Sequence, residues 1–375
     1  MFEKLTIENW RQFSKVDINF HPRLTVLAGV NGSGKTTVLN VLSYYMGWTP
    51  STAYTRENSF DKGSSFKKNV IVNISPKRQI KGVFIQSHRP VFPRRKLKSI
   101  PTSVETRKEI FERYNDFSKK FINDEYRYLS EDDQKILSST TLLKRDLAAL
   151  ALYGYGNAAV APNTNARILF EGYCDLLKKA LPKELGFKKI IISMPEVYFE
   201  TDTGNFPIDS VSGGISSIID ITWRLFMFAE PNEPFVALID EPENHLHPEL
   251  QKSFLGNLME TFPNVQFIVA THNPLIISSQ KDSHIYVLDY ENNKVKSTLL
   301  DHVNLAGTSS AILRDVLGLD STMPLWVDEK LNEIVEKFQK IGITSDSLNQ
   351  LRAELTQLGM QDYVPNTMAK VIGGE

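Results

Sequence analysis

The chain opens with alternating apolar and polar residues and moves to short, continuous apolar runs further along. Residues 2–7 and 16–20 alternate as half-buried strands do, and we expect them to form a small antiparallel flap. Residues 24–28 form an apolar run, followed by glycines and then by residues 37–42 with helical spacing. The amino end therefore predicts a flap followed by a strand, a loop and a helix.

Predicted helices and strands alternate through the rest of the chain. Helical periodicity marks residues 105–119, 131–152, 165–179, 215–228 and 248–261, and strand patterns mark residues 190–193, 197–200, 235–239, 265–270 and 284–289. The runs at 235–239 and 265–270 are continuously apolar, which is typical of strands buried on both faces. The pattern predicts a largely parallel sheet covered by helices, with a helical tail from residue 309.

The helical tail carries an apolar stripe at helical spacing. Its members lie on one face of a predicted helix and are Leu331, Ile334, Val335, Phe338 and Ile341. Such a stripe forms either a core or a surface for a second copy or a partner, and both interpretations remain open.

Charge and cysteine content narrow the environment of the protein. The 43 Lys and Arg residues nearly balance the 44 Asp and Glu residues, so any contact with nucleic acid must be local. The single cysteine, Cys174, excludes an internal disulfide and fits a reducing compartment. No apolar run approaches the roughly 18 residues of a membrane span, and the amino end lacks a signal-peptide core. We therefore expect a cytoplasmic protein that makes no membrane contact.

Residues 29–36 fit the phosphate-loop pattern, and the predicted strand and helix on either side are the context that this pattern requires. Glycines at these positions let backbone N–H groups surround phosphate oxygens, Lys35 reaches the β and γ phosphates, and the Thr36 hydroxyl can ligate Mg²⁺. The predicted ATP-binding residues here are Asn31, Gly32, Ser33, Gly34, Lys35, Thr36 and Thr37.

Two further apolar strands end in polar side chains. Asp240 and Glu241 follow one of them, where a carboxylate that organises Mg²⁺ and a general base would emerge, and His272 ends the next. A strand capped by acids is common by itself, and a lone His at a strand end is more often a satisfied surface residue. Combined with the phosphate loop, Asp240, Glu241 and His272 predict an ATP-hydrolysing site. Its expected catalytic residues are Glu241, His272 and, from the loop, Lys35.

The order of these motifs resembles that of the ABC-ATPase superfamily. In that family a Ser-Gly-Gly signature contacts the γ-phosphate held by the other subunit, and Ser212, Gly213 and Gly214 occupy the matching place before a helix. Val211 and Ile215 depart from the family pattern, in which Leu and Gln are typical. The resemblance implies that the signature residues bind ATP across a dimer.

Residues 242–248 resemble the D-loop of the RecF, SMC and OLD-type branch of this superfamily, in which a His-Pro pair opens the next helix. A His-x-His metal site is the competing interpretation of this segment. The amino end resembles the same branch, which implies that Arg11 approaches the nucleotide, although a surface arginine explains it almost as well. Gln86, at the end of an apolar run, is the candidate Q-loop glutamine and metal ligand, with a solvated strand end as the alternative.

Chain length separates the members of this branch. The roughly 180 residues between Lys35 and Ser212 are too few for the long paired coiled coil of SMC-like proteins, and residues after His272 lack the acidic trio of a Toprim nuclease. What remains resembles the stand-alone ATPases of bacterial anti-phage modules, namely the PtuA type of Septu and retron systems and the AriA type of PARIS. Residues 311–319 resemble the PtuA side.

The resemblance implies an ATP- and Mg²⁺-dependent hydrolase that is slow and regulatory, forms a homo-oligomer around ATP, and controls a separate nuclease. The alternative is a RecF-like, ATP-gated DNA-binding protein of DNA repair. For that alternative, the basic residues 89–98 could track nucleic-acid phosphates or approach the triphosphate, whereas a solvated charged loop is the plainer explanation. A transporter nucleotide-binding subunit lacks support.

The expected fold class is α/β, with an ABC-ATPase head built on a mixed, largely parallel sheet flanked by helices, an amino-terminal antiparallel flap, a helical insertion and a helical tail. We expect an ATPase amino-terminal lobe over residues 1–100 and a helical insertion over 101–188. The carboxyl-terminal ATPase lobe with signature, acidic strand, D-loop and switch histidine would span 189–300, and the helical tail 301–375.

Overall fold

The computed structural model describes residues 1–48, 71–89, 94–122, 138–300, 312, 325–341 and 344–373. The chain divides into two units, Met1–Ile312 and Leu313–Glu375. Each unit has its own core of buried apolar side chains. The domain boundaries expected from the sequence remain predictions.

The first unit is built on two sheets. In chain order their strands are β1 Lys4–Trp10, β2 Phe13–Asn19, β3 Leu24–Ala28, β4 Ile71–Ser75, β5 Gly82–Ile85, β6 Phe187–Ser193, β7 Glu196–Thr201, β8 Gly204–Pro207, β9 Phe235–Asp240, β10 Val265–Thr271, β11 His284–Glu291 and β12 Lys294–Leu299. Across the described residues, the larger sheet has the order β4-β1-β2-β12-β11-β3-β10-β9-β5, and β6-β7-β8 form a small antiparallel sheet.

The larger sheet combines a parallel group with an antiparallel flap. Strands β11, β3, β10, β9 and β5 pair in parallel, whereas β1 pairs antiparallel with both β2 and β4. Every residue of β3, β9 and β10 is buried, which explains why these strands are continuously apolar. The mixed, largely parallel sheet and the flap predicted from the sequence are confirmed.

The sequence pattern predicts helices after the strand at 284–289, but strand β12 lies there instead. β12 pairs antiparallel with β11 and parallel with β2, and thereby joins the flap to the parallel group. Its sequence gives a weak signal because only Val295 on this strand is buried. A strand with one buried apolar residue lacks the alternation of apolar and polar residues from which strands are predicted.

Helices cover the sheet of the first unit. They are α1 Lys35–Tyr45, α2 Arg107–Ile122, α3 Ser139–Tyr155, α4 Thr164–Ala180, α5 Gly213–Phe228, α6 Pro248–Thr261 and α7 Pro274–Ile277. Helix α1 lies against β9 and β10, and α2 and α4 pack against α5. Part of the helix expected over 131–152 lies outside the described residues, and α3 begins after its cap Ser138, whose side chain accepts a hydrogen bond from the Thr141 backbone. No helix among the described residues is long and apolar enough to span a bilayer.

The second unit consists of helices α8 Leu325–Ile341, α9 Ser345–Gln357 and α10 Val364–Gly373. Four of the five residues of the apolar stripe noted in the sequence point into the core of this unit, and the side chain of Ile341 lies outside the described part of the chain. Leu331, Ile334, Val335 and Phe338 are buried together with Leu351 and Leu355 of α9. Of the two interpretations left open for the stripe, the structure supports the core. Residues 311–319, apart from Ile312, lie outside the described part of the chain.

Candidate active site

The parallel strands bring their carboxyl ends to one edge of the sheet, and most of the predicted site residues lie there. The phosphate loop follows β3, Gln86 follows β5, Asp240 ends β9, and His272 follows β10. The register pairs Ala270 on β10 with Asp240. This edge is the usual ligand position in open parallel sheets.

The phosphate loop needs glycine where other parts of the protein approach it. At Gly29 (φ 151°) a Cβ would lie 2.5 Å from the Leu288 carbonyl oxygen, and at Gly34 (φ 95°) it would lie 2.6 Å from the Phe13 ring and from Gln12 Nε2. Gly34 is also the cap residue immediately before α1, so the loop leads directly into a helix amino terminus. The backbone is therefore shaped for an anion at the start of α1.

Lys35 lies folded over the loop that precedes it. Its Nζ donates to the carbonyl oxygens of Gly29 at 2.8 Å and Val30 at 2.9 Å. Burial lowers the pKa of Lys35, while the nearby Asp240 and Glu241 raise it. The ammonium group is thus held at the mouth of the loop by two neutral acceptors, which a phosphate oxygen can replace.

Thr36 and Asp240 form a direct contact between the loop helix and β9. Thr36 Oγ1 donates to Asp240 Oδ2 at 2.9 Å, and burial raises the pKa of Asp240 to about 6, against the effect of this hydrogen bond. Within the described residues, Ser33 Oγ and Asp240 Oδ1 are buried oxygens without a hydrogen-bond partner. Buried polar atoms of this kind normally have partners, so the oxygen set fits a phosphate-bound Mg²⁺. Asn31 and Gly32 are exposed at the tip of the loop, and Thr37 is buried in α1.

Glu241 has an unusual backbone and a well-defined side chain. Its φ is 46°, and its N–H donates to the Ala270 carbonyl oxygen at 2.8 Å. Its Oε1 lies 3.3 Å from His272 Nδ1, and its Oε2 accepts from Asn244 Nδ2 at 3.1 Å. His272 is exposed and Glu241 is half-buried. The structure thus places the predicted general base and the predicted switch histidine in contact.

Glu243 is a further buried acid that the sequence analysis passed over. Its carboxylate accepts from Thr271 Oγ1, one residue before His272, and burial raises its pKa. The sequence does carry a signal for Glu243, because this acid comes two residues after Glu241 on the turn that follows β9. Glu243 connects this turn to the end of β10.

The signature residues lie against the D-loop of the same chain. Ser212 caps α5, and its side chain accepts from the Ile215 N–H at 3.4 Å. A Cβ at Gly214 would lie 2.9 Å from the His245 carbonyl oxygen, and one at Gly213 would lie 3.4 Å from His245 Cβ. Ser212 and His245 are both exposed. Among the described residues no hydrogen bond joins Ser212, Gly213 or Gly214 to the phosphate loop.

The His-x-His metal alternative finds no support in the described part of the chain, which contains no group of three His, Cys, Asp or Glu residues able to hold a metal ion. His247 instead caps α6 by accepting from the Glu249 N–H. Its place before Pro248 matches the helix-opening role expected from the D-loop resemblance.

Arg11 and Gln86 occupy different surroundings. The Arg11 guanidinium lies 4.8 Å from the centre of the Trp10 ring, and the neighbouring residues Gln12 and Phe13 contact the phosphate loop at Gly34. Gln86 continues from Ile85, which pairs with Ile239, so it reaches the same sheet edge as Asp240. The nucleotide role of Arg11 and the metal role of Gln86 stay predictions.

Tyr290 on the flanking strand β11 also contacts the phosphate loop, and the sequence did not indicate it. Its hydroxyl donates to the Gly32 carbonyl oxygen at 3.0 Å.

The basic stretch 89–98 agrees with a solvated charged loop at Arg94, Lys96 and Lys98, which are exposed. Arg89 is the exception, because it is only 6% exposed and its guanidinium points into the turn after β9. The Arg95 N–H donates to Asp209, whose carboxylate also binds the buried Lys144. Residues 90–93 lie outside the described part of the chain.

A protein-family model matches more than half of this chain. The family model described as "AAA domain, putative AbiEii toxin, Type IV TA system" matches residues 24–278. This range runs from the first residue of β3 to just beyond α7. It therefore includes the phosphate loop, the signature, the acidic strand and His272.

Several curated proteins are similar to this chain. Retron Vc95 probable ATPase of Vibrio cholerae serotype O1 biovar El Tor is 31% identical over 109 residues, which cover 28% of this chain and 20% of that protein. Septu protein PtuA of Bacillus mycoides (strain KBAB4) is 27% identical over 48% of this chain and 26% of its own length. Septu protein PtuA of Bacillus thuringiensis is 21% identical, with 94% of this chain and 96% of that protein covered. The matched part is thus about a quarter or less of the first two relatives and nearly all of the third.

Among solved structures, the Smc head domain from Pyrococcus furiosus, with an extended coiled coil and bound to the C-terminal domain of ScpA, is 15% identical. It matches 80% of this chain and 96% of its own, with a TM-score of 0.45. The SMC head domain from Thermotoga maritima is 12% identical, with 80% and 99% covered and a TM-score of 0.43.

Proposed function

Because the chain belongs to the AAA-domain ATPase family whose model matches residues 24–278, and is itself an ATPase, we propose that it is a regulatory ATP hydrolase of bacterial anti-phage defence. In this proposal it assembles around ATP and controls a separate nuclease. The observation that carries the enzymatic part is the contact of Glu241 with His272 at the sheet edge that also holds Lys35, Thr36 and Asp240.

Each side chain of the site takes one part of the hydrolysis. Thr36 and Asp240 would hold Mg²⁺, which neutralises charge on the phosphates when it is bound. Lys35 would exchange its two carbonyl acceptors for phosphate oxygens. Glu241 orients a water molecule and accepts its proton as the water oxygen bonds to the γ-phosphorus and the bond to the β–γ bridging oxygen breaks.

His272 lies where it can act on the same event. Its Nδ1 contacts Glu241 Oε1, and its ring is exposed at the mouth of the site. A protonated imidazole donates from both ring nitrogens, so it can hold the Glu241 carboxylate through Nδ1–H and donate to the γ-phosphate through Nε2–H. We assign His272 the role of γ-phosphate sensor.

Assembly is the second part of the proposal. Ser212 and His245 are both exposed, and α5 begins immediately after Ser212, which caps it. A helix amino terminus attracts an anion, so the γ-phosphate held by a second copy is its natural ligand. ATP would then favour the assembled state because only that state provides contacts from both copies.

The defence role is supported by the relatives named for Septu and retron systems and by the resemblance to stand-alone defence ATPases. The test is purification of tagged Glu241→Gln protein expressed with its neighbouring genes, with Lys35→Ala as the matched variant that does not bind ATP. We expect a nuclease to copurify with Glu241→Gln, identified by mass spectrometry. Recovery of DNA without a protein partner would instead favour the RecF-like clamp, and Arg94→Glu with Arg95→Glu should then abolish DNA-stimulated hydrolysis.

A further inference from the structure

Arg89 lies at the centre of three elements that surround the active site. It follows β5, and its side chain is buried between the turn after β9 and helix α5. Nη2 donates to the Glu241 carbonyl oxygen at 2.7 Å and Nη1 to that of Asp240 at 3.2 Å. Nε donates to Ser217 Oγ at 3.0 Å, in the second turn of α5. One side chain therefore binds both the turn that carries the general base and the helix that begins at the signature.

The contacts explain why a guanidinium is needed at this position. Nη1 also donates to the Gln86 carbonyl oxygen at 3.3 Å, and Nη2 reaches that of Pro242 at 3.5 Å. A buried cation is costly unless its donors are satisfied, and only the planar fork of arginine offers five donors in fixed directions. A lysine in its place has a single ammonium centre and cannot bind the turn and Ser217 in the same geometry.

The turn that Arg89 holds is not a relaxed one. Glu241 adopts φ 46°, which is uncommon for a residue with a side chain, and its carbonyl receives the shortest of the Arg89 hydrogen bonds. Backbone conformations of this kind persist when surrounding contacts enforce them. Arg89 therefore stabilises the backbone conformation that directs the Glu241 carboxylate toward His272.

We propose that Arg89 is a positioning residue for ATP hydrolysis, holding the Glu241 turn and the signature helix as one unit through Ser217. This inference rests on the proposed function, since it assumes that Glu241 is the base and that the signature contacts ATP. It predicts that a shift of α5 is passed to Glu241 through the Arg89–Ser217 contact. Arg89 touches neither nucleotide nor water in this role, and its effect appears in the turnover rate.

The first test removes the link to α5 and keeps the carbonyl contacts. Ser217→Ala should lower kcat about tenfold and leave the Kd for ATP unchanged, because a small displacement of the reacting groups affects the chemical step more than binding. Ser283→Ala is the matched control, since Ser283 is also a buried serine with one hydrogen bond, to the Gln280 carbonyl oxygen. A Ser217→Ala protein with the kcat of the parent protein would overturn the proposal, as would a change confined to ATP affinity.

The second test asks whether Arg89 acts through Glu241. Arg89→Lys should lower kcat at least as much as Ser217→Ala, measured with ATP at a temperature at which thermal unfolding shows the variant to be fully folded. In the Glu241→Gln background neither substitution should lower the residual rate further, because the group they position is no longer a base. Losses that multiply would show that Arg89 acts independently of Glu241, against the proposal. Failure of the proposed function itself would look different, because Glu241→Gln would then hydrolyse ATP at the parent rate.

Discussion

The phosphate-loop side and the signature side of the ATPase unit differ in how they satisfy their polar groups. Lys35, Thr36 and Glu241 are each bonded to another part of the site or to the loop itself. Ser212, in contrast, has a side chain that caps its own helix and makes no other hydrogen bond within the described part of the chain, and His245 beside it is exposed. The first region is arranged within one chain, whereas the second has an exposed residue at a helix amino terminus. We therefore propose that the signature side acts on a phosphate held by a second copy.

The physical origin of the difference is the sheet. The proposed catalytic groups follow strands whose residues are all buried, and parallel pairing of β3, β10 and β9 sets their relative positions. The signature lies outside the sheet, at the start of α5, and the hydrogen bond of Ser217 with Arg89 joins this helix to the turn after β9. Substitutions on the phosphate-loop side and substitutions on the signature side should therefore have different effects on ATP binding, hydrolysis and assembly.

Removal of the Lys35 ammonium group should disable the phosphate loop completely. Lys35→Ala should abolish detectable ATP binding, hydrolysis and ATP-dependent assembly, because the loop then lacks the charge that neutralises the phosphates. Isothermal titration with ATP measures the binding step. Lys188→Ala, at an exposed lysine on β6, is the control and should bind as the parent does. ATP binding by Lys35→Ala within threefold of the parent would contradict this assignment.

A substitution that slows ATP hydrolysis without weakening ATP binding sharpens the comparison between the phosphate-loop side and the signature side. Glu241→Gln should lower kcat by about 100-fold or more, since general-base catalysis contributes effects of this size, and should trap the assembled state with ATP. Steady-state phosphate release and light scattering after size exclusion report the two effects. Glu249→Gln, at an exposed acid in the first turn of α6, should change neither. Turnover at the parent rate would mean that Glu241 is not the base.

Blocking the signature side should affect assembly alone. Ser212→Arg places a large side chain at the proposed contact with the second copy and should weaken ATP-dependent assembly about tenfold or more, while each chain still binds ATP. Light scattering in the Glu241→Gln background gives the assembly constant, and titration gives the binding constant. Ser253→Arg, at an exposed position on α6, controls for added charge. Unchanged assembly would place the signature outside the interface.

The two sides also differ in how much of them could be predicted from the sequence. The continuous apolar runs predicted the buried strands, and parallel pairing follows from alternation with helices, so the placement of Asp240 and His272 at one edge was predictable. The burial of Arg89 was not, because its acceptors are backbone carbonyls of residues distant in the chain, and carbonyls have no sequence signal. Strand β12 was missed for a related reason, since neighbouring strands supply the burial that its own residues do not indicate.

The smallest expected effect concerns the junction between the signature and the D-loop. Gly214→Ala would place a methyl group 2.9 Å from the His245 carbonyl oxygen, so the backbone must move, whereas at Gly213 the nearest atom lies at an ordinary 3.4 Å. We expect Gly214→Ala to lower the free energy of unfolding by about 1 kcal/mol, the strain of overpacking minus the gain in helix propensity. Gly213→Ala has the gain without the strain and should be neutral or slightly stabilising. Thermal unfolding without nucleotide compares the pair, and equal midpoints would show that the signature and the D-loop of one chain do not constrain each other.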